Sequence, residues 1–264
     1  QPEKLEELRR AAVGSIREVL EKLEKKTGIA PGGSIQLVLA GNTTMVHFFL
    51  GLDAFCVFQT PYAVQADRPG FLPAAELELP VSGYVYCYPG KSNYLGGDII
   101  SGMVATELYK KEGISVFFDI GTNGELVVGN REFLLCGAGA AGPALEGGVV
   151  RTGMRASEGA VERVKLTENG FELGVIGGGR PEGICGSGII DLLAELFLAG
   201  WIDLRGKFVP EKAKNSGKDG MYAVEYAPGL FFYQSDVDEF LRTKAAASTM
   251  VEYMLGEAGI GMND

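Results

Sequence analysis

Cysteine, histidine and long apolar runs are scarce in this chain, and each scarcity removes a class of function. Only four cysteines occur among 264 residues, Cys56, Cys87, Cys136 and Cys185, far apart and without a CxxC pair. That spacing argues against a local zinc or iron–sulfur site. A chain of this size needs no disulfides, so the thiols read as reduced, as in a cytoplasm. The single histidine, His47, lies in an apolar helix start with no Ser–His–Asp set to complete, and reads as a packed, hydrogen-bonded core residue. No apolar run reaches the ~18–20 residues of a membrane span, and no signal peptide opens the chain. Basic runs are missing as well. With 24 Lys and Arg against 34 Asp and Glu, the net charge is −10, which disfavours a nucleic-acid surface. Neither GxGxxG after a first strand nor GxxxxGK[ST] occurs, against a Rossmann site and a P-loop. The chain starts at Gln1 without methionine and ends in GMND; it reads as a fragment.

Glycine, by contrast, is abundant. The 39 glycines are not periodic but cluster at predicted strand ends, in GNTT, LGGD, DIGTNG, CGAGAAG, IGGG and CGSG. Glycine there permits positive φ or lets backbone amides approach a ligand. One cluster means ordinary turns; six point to a ligand cleft.

Periodicity places these clusters. Leu5, Leu8, Ala12, Ile16, Leu20 and Leu23 mark an amphipathic helix over 3–26, ending near Gly28. IQLVLAG, 35–41, reads as a buried strand, followed by a helix over 44–50. Residues 55–82 suggest loops with short strands, YVYCYP (84–89) a strand, and 97–111 a helix. ISVFFDIG and GELVVGN form a predicted hairpin, EFLLCG (132–137) a third strand, and 140–149 a small-residue helix. AVERVKLT and FELGVIGG pair about an Asn169-Gly170 turn, and Ser187 to Leu198 is an apolar helix. Residues 205–230 read as a surface excursion, and a last helix runs from Gln234-Ser235-Asp236 to about Gly256. The order indicates an α/β protein with mixed sheets. A boundary is expected at 96/97, with 1–96 in a first lobe and 97–264 holding an interlobe helix and a second lobe.

Several residues carry candidate chemistry. Asp119 ends an apolar strand, and Gly121 and Gly124 allow a tight turn. The amides of Gly121, Thr122 and Asn123, with the side chains of Thr122 and Asn123, are placed to donate to phosphoryl oxygens. Asp119 would then sit by Mg²⁺ through water; the structural alternative is a hairpin with an Asx turn. Asp98 is either a helix N-cap or a carboxylate that orients a water or holds metal. Gly41, Asn42, Thr43 and Thr44 lie between strand and helix, facing an anion or capping the helix. Gly139 and Gly142 in CGAGAAGP, and Gly186 and Ser187 in ICGSG, pose the same choice, with Ser187 an obvious cap. Glu146 is a ligand contact or a surface acid.

In this order, GNTTMVHFFLGLD, LGGDIISGMVATEL, FFDIGTNGELVVGN, CGAGAAGPALEGGVVRTGMRASEGAVE and EGICGSGIIDLLAELFLAGWID resemble the C-terminal domain of reductive activators of corrinoid proteins. These belong to the acetate and sugar kinase, heat-shock ATPase and actin superfamily, and the resemblance covers about residues 5–255. It implies a ribonuclease-H-like, two-lobed actin or sugar-kinase fold that binds and hydrolyses ATP with Mg²⁺ in the cytoplasm. It also implies a corrinoid protein as partner, its Co(II) reduced to Co(I), with a homodimer as one option. DIGTNGE matches the superfamily's second phosphate loop, which puts Asp119, Gly121, Thr122 and Asn123 at the phosphates. Asp98 is similar to the base of sugar kinases, here facing water. Gly41, Asn42, Thr43, Gly97, Gly124, Gly139, Gly142, Gly186 and Ser187 complete the expected nucleotide contacts. A DIGTTT-like first phosphate loop is expected before Gln1, an AGGFG-like adenine loop after Asp264, and a 2Fe-2S cluster only in an N-terminal domain outside this chain. The piece alone is therefore expected to be an incomplete ATPase. A small-molecule kinase of the same fold and a non-catalytic docking module are the alternatives.

Overall fold

The computed structural model describes residues 4–32, 36–121, 123–139, 147–215 and 221–263. Helix α1, Leu5–Thr27, follows from its patterning. Glu6 and Glu7 lie in its first turn and Lys25 and Lys26 in its last, complementing the helix dipole. Gly28 ends it in the left-handed region at φ 73°, and its N–H returns to the Glu24 carbonyl at 2.7 Å. The buried face is narrower than the apolar spacing suggests. Val13, Ile16 and Leu20 pack inward, while Leu8 and Leu23 are exposed.

By contact the chain divides into two units, residues 1–117 with 125–138, and residues 118–124 with 139–264. The first unit contains β1 (Leu37–Leu39), α2 (Thr43–Leu50), β2 (Gly70–Pro73), β3 (Tyr84–Cys87) and α3 (Gly97–Thr106). Its sheet has the order β1-β3-β2. β1 pairs parallel with β3, Leu37 opposite Val85, and β2 pairs antiparallel, Phe71 opposite Tyr86. This is the mixed sheet the sequence predicts. A parallel pair needs a crossover, and both parallel strands run at their C-terminal ends into helices, β1 into α2 and β3 into α3. Val13, Leu20, Phe49, Leu77 and Val85 form the core beneath. A second sheet runs β4 (Ser115–Ile120), β5 (Gly124–Gly129), β6 (Leu134–Gly139). Leu126, Val127 and Val128 of β5 are fully buried, and Ile99 and Met103 of α3 pack with Val127.

The second unit holds β7 (Ala160–Thr167), β8 (Gly170–Val175), β9 (Gly183–Ile184), α4 (Gly186–Leu198), β10 (Lys214–Asn215), β11 (Tyr222–Ala227), β12 (Leu230–Tyr233) and α5 (Gln234–Glu257). The sheet β8-β7-β9 is again mixed. The β7–β8 turn is Glu168-Asn169, one residue earlier than predicted. Thr167 pairs with Gly170, which opens β8 at φ 109°, a conformation that favours glycine. Ile189, Leu192 and Leu196 of α4 are fully buried at helical spacing. Asp191 and Glu195 accept the N–H groups of Val164 (3.2 Å) and Leu166 (3.0 Å). These carboxylates close the part of the β7 edge that the two-residue β9 leaves open.

Two predicted elements need correction. The stretch 205–230 is not a surface excursion: it includes β11, and Val224 and Tyr226 join Phe232 in the core of the second unit. The alternation in YAVEYA and the Pro228-Gly229 turn carried that signal, outweighed by the polar, glycine-containing residues before it. The helix expected over 140–149 falls mostly on residues outside those described, and 147–149 are not helical.

Candidate functional site

In the first unit the structure brings together Gly41, Asn42, Thr43, Gly97 and Asp98, at the ends of the parallel strands. The contact is backbone to backbone. A Cβ on Gly96 would meet the Asn42 Cα at 2.5 Å and the Gly41 carbonyl oxygen at 2.6 Å. The Gly97 N–H donates to the Gly41 carbonyl at 2.8 Å. A Cβ on Gly97 would lie 2.9 Å from the Tyr88 carbonyl. Asn42 is the N-cap of α2, its Oδ1 accepting the Met45 N–H at 2.9 Å, and Thr43 Oγ1 donates to the Ser92 carbonyl at 2.6 Å. The cavity left beside Thr43, Gly90, Gly96 and Gly97 is about 10 Å³, at most one water. The polar side chains offered for an anion are thus engaged in folding. Gly90 and Gly96, outside the predicted set, help close the junction; the doubled glycine before α3 was the signal for Gly96, and Gly90 had only its place after Pro89.

Asp98 is not the N-cap of α3. Gly96 holds that position, and Asp98 sits in the first turn, half-buried, its Oδ1 accepting the Ile99 N–H at 2.9 Å. An acid there suits the helix dipole. His47 is fully buried, as predicted. Its Nδ1 lies 2.7 Å from the Thr43 carbonyl, and its Nε2 accepts the Gln65 N–H at 3.2 Å. That pair of partners fixes the tautomer with the proton on Nδ1.

In the β4–β5 hairpin, Asp119 is half-buried near the end of β4, Asn123 is exposed, and Gly124 is buried at the start of β5. The Gly121 N–H donates to the Asn123 carbonyl at 2.8 Å, so this amide closes the turn and does not face a ligand. No ion pair among the described residues involves Asp119. Thr122, Gly142 and Glu146 lie outside the described residues.

Elsewhere in the second unit, Gly139 ends β6 against the Met250 sulfur, 2.8 Å from where its Cβ would be. Ser187, expected as the cap of α4, is two positions too late. Cys185 is the N-cap, without a side-chain cap bond, and its Sγ lies 3.4 Å from Ser187 Oγ. Ser187 is exposed in the first turn, beside helix N–H groups that have no intrahelical partners. Sequence reasoning missed a buried cluster at the start of α5. Asp236, 1% exposed, accepts the Tyr233 N–H through Oδ2 at 2.9 Å and the Arg151 N–H through Oδ1 at 3.3 Å. Burial raises its carboxyl above the ordinary carboxylate range, opposed by those two N–H groups and by the Arg151 charge. An acid three residues after Tyr233, at the third helical position, is a capping signature that was available.

All four cysteines are free thiols. Among the described residues no group of three or more His, Cys, Asp or Glu is arranged to hold a metal, and no helix is long and apolar enough to cross a membrane.

Residues 113–264 match the family model described as the C-terminal domain of RACo, the ASKHA domain, and residues 1–111 match the RACo middle region. The chain is 34% identical over 210 residues to the corrinoid activation enzyme RamQ of Eubacterium limosum, covering 79% of this chain and 35% of that protein. It is 26% identical over 198 residues to the [Co(II) methylated amine-specific corrinoid protein] reductase of Methanosarcina barkeri, covering 67% and 35%. A solved structure, a reductive activator for corrinoid, iron-sulfur protein, superposes with a TM-score of 0.81 at 37% identity, over 100% of this chain and 44% of that one. The chain thus spans about a third of the curated relatives' length.

Proposed function

This chain belongs to the RACo family, with the actin-like ASKHA fold in its C-terminal part, and from that premise we propose that it is the ATP-binding and ATP-hydrolysing part of a reductive activator. The partner is a corrinoid protein, whose Co(II) is reduced to Co(I) by one electron, in the cytoplasm. The relatives' names support the corrinoid partner. The β4–β5 hairpin carries the nucleotide reading: a half-buried carboxylate, Asp119, close in sequence to the exposed Asn123.

The donor set fits Mg-ATP. Mg²⁺ takes hard oxygen ligands and keeps much of its water, and Asp119 offers a carboxylate outside any ion pair among the described residues. Bound Mg²⁺ would supply charge neutralisation at the phosphates. Thr122, Asn123, Gly124, Gly139, Gly142, Gly186 and Ser187 are assigned to binding and orienting the nucleotide. Gly41, Asn42, Thr43 and Gly97 form the closed junction that holds α3 and Asp98. Asp98 is assigned to accept a proton from the attacking water. The residues do not fit an iron–sulfur cluster: Cys87 and Cys185 are buried separately, so no electron step is derived through this chain.

Calorimetric titration of Mg-ATP into this chain and into a version extended at both ends tests the reading. Binding by the extended form is expected to weaken ~10-fold or more in Asp119→Asn, with the melting temperature nearly unchanged. Intact binding with a large loss of stability makes Asp119 a scaffold residue and ends the assignment.

A further inference from the structure

We propose that Asp236 is a positioning residue: through a backbone strut, residues 151–154, it fixes the strand from which the α4 glycine turn starts. The inference rests on the nucleotide reading of Gly186 and Ser187, and gives that site a support 49 residues further along the chain than Ser187.

The strut is held on two sides within the second unit. On one side stand α5 and the β11–β12 hairpin. Asp236 Oδ1 accepts the Arg151 N–H, Thr152 Oγ1 donates to the Phe231 carbonyl at 3.4 Å, and Tyr226 Oη donates to Thr152 Oγ1 at 2.9 Å. The Arg151 guanidinium lies over the Tyr233 ring at 4.5 Å, a cation–π contact that reinforces the same anchor. On the other side stands β9. Ile184 donates its N–H to the Thr152 carbonyl at 3.0 Å and accepts the Met154 N–H at 2.9 Å, as a parallel bridge. The next residue, Cys185, is the N-cap of α4, and Gly186 and Ser187 follow. A side chain has no room inside this arrangement. A Cβ on Gly183 would lie 2.6 Å from the Thr152 carbonyl, and one on Gly153 would overlap the Gly147 carbonyl. The strut therefore transmits the place of α5 rigidly to the β9–α4 turn, because packed backbone has no intermediate setting.

A capping acid alone would need only the Tyr233 N–H. The second oxygen, turned to a residue 85 positions away, is what makes Asp236 more than a cap. An asparagine there keeps one acceptor oxygen and turns two N–H hydrogens toward one of the two backbone donors.

Native-state hydrogen exchange on the chain with Asp236→Asn tests the inference without nucleotide. Exchange of the Arg151, Met154 and Ile184 amides is expected to rise by roughly 10-fold or more while the β7–β8 hairpin keeps its protection, as a local opening requires. A uniform rise across the unit, or no change at the three amides, overturns the proposal. If Asp236→Asn does not fold, Thr152→Val, which removes the strut's hydroxyl contacts and leaves the cap, is judged by the same pattern. The second arm is titration of Mg-ADP into the protein extended at both ends, where the dissociation constant is expected to rise about 10-fold in the variant. An unaltered extended protein that binds no nucleotide sinks the nucleotide reading and leaves exchange to decide on the strut. Binding unaffected by a variant whose exchange is locally raised overturns the positioning role alone.

Discussion

At the end of β1 the Gly41–Asn42 backbone lies against Gly96 with no side chain between them. In the second unit Gly153 and Gly147 make the same kind of contact, but Tyr226, Thr152 and Asp236 stand beside it with buried hydroxyl and carboxyl groups. Both junctions are made by glycines, Gly41 and Gly96 just before the helices α2 and α3, Gly147 and Gly153 in the segment before β7. Their locks differ. The first depends on the absence of a Cβ, the second also on side-chain hydrogen bonds to main-chain groups. A glycine cluster in sequence therefore marks a close approach without saying whether the approaching body is a ligand or the protein itself.

The sharpest break of this contrast is Gly96→Ala. The atoms its Cβ would meet at 2.5–2.8 Å are backbone atoms of Gly41 and Asn42, which cannot yield without moving β1 or α2. The expected cost is more than about 3 kcal/mol, seen as loss of the first unit's share of the helical circular dichroism at lower denaturant. Gly113→Ala, where a Cβ meets nothing within 4 Å, should be near neutral. Trp201, the single tryptophan, packs against the core of the second unit, and its fluorescence transition should be unmoved in both variants. An unchanged circular-dichroism transition in Gly96→Ala would mean that the junction opens freely.

Alkali should separate the units next. Burial pushes the Cys87 thiol of the first unit up to about 11 and the Tyr226 phenol of the second up to about 12, the latter opposed by the Thr152 hydrogen bond and raised slightly by Asp236. In both, the folded state keeps its proton where the unfolded chain has lost it. The contribution is complete below the unfolded value, about 8.5 for a thiol and about 10 for a phenol, and fades as pH rises through the folded one. Each is worth up to about 3 kcal/mol, because every tenfold change in proton affinity between the folded and unfolded chain is about 1.4 kcal/mol. Stability measured from pH 8 to 12 should thus fall in two steps, the Trp201 signal following the later one. In Tyr226→Phe the later step should vanish, and in Cys87→Ala the earlier one. A single step common to both variants would deny that the units titrate separately.

The fold was legible where one period dominates. The α1 stripe, the FFDIG–GELVV hairpin and the apolar run of α4 each carry a single unambiguous spacing, and they lie within a residue or two of expectation. The resemblance of the ordered motifs to corrinoid-protein activators supplied the superfamily that periodicity cannot, and the chain's family bears it out. What stayed hidden was long-range. Tyr226 and Phe232 are core because a polar, glycine-containing stretch folds back as a sheet, and Asp236 matters because of Arg151, 85 residues earlier. Both caps were misplaced by two residues, for a local reason. At α3 and α4 the N-cap position is filled by Gly96 and Cys185, neither of which caps with its side chain, so the nearest polar residue, Asp98 or Ser187, looked like the cap.

Asp98 is where the two uses of such a turn meet most closely, and its expected change in stability is small. Its Oδ1 accepts the N–H of the next residue, Ile99, which an asparagine oxygen can also do. Asp98→Asn should therefore keep that bond, and the charge–dipole attraction of a first-turn acid that it gives up is about 0.3–1 kcal/mol, against more than about 3 kcal/mol for Gly96→Ala two residues earlier. If the carboxylate is the proton acceptor for hydrolysis, ATP turnover by the extended protein falls by roughly 10²-fold or more with that small stability change. Turnover kept within about twofold, at the same melting temperature, would leave Asp98 as a helix-dipole acid and place the closed junction wholly on the structural side of the comparison.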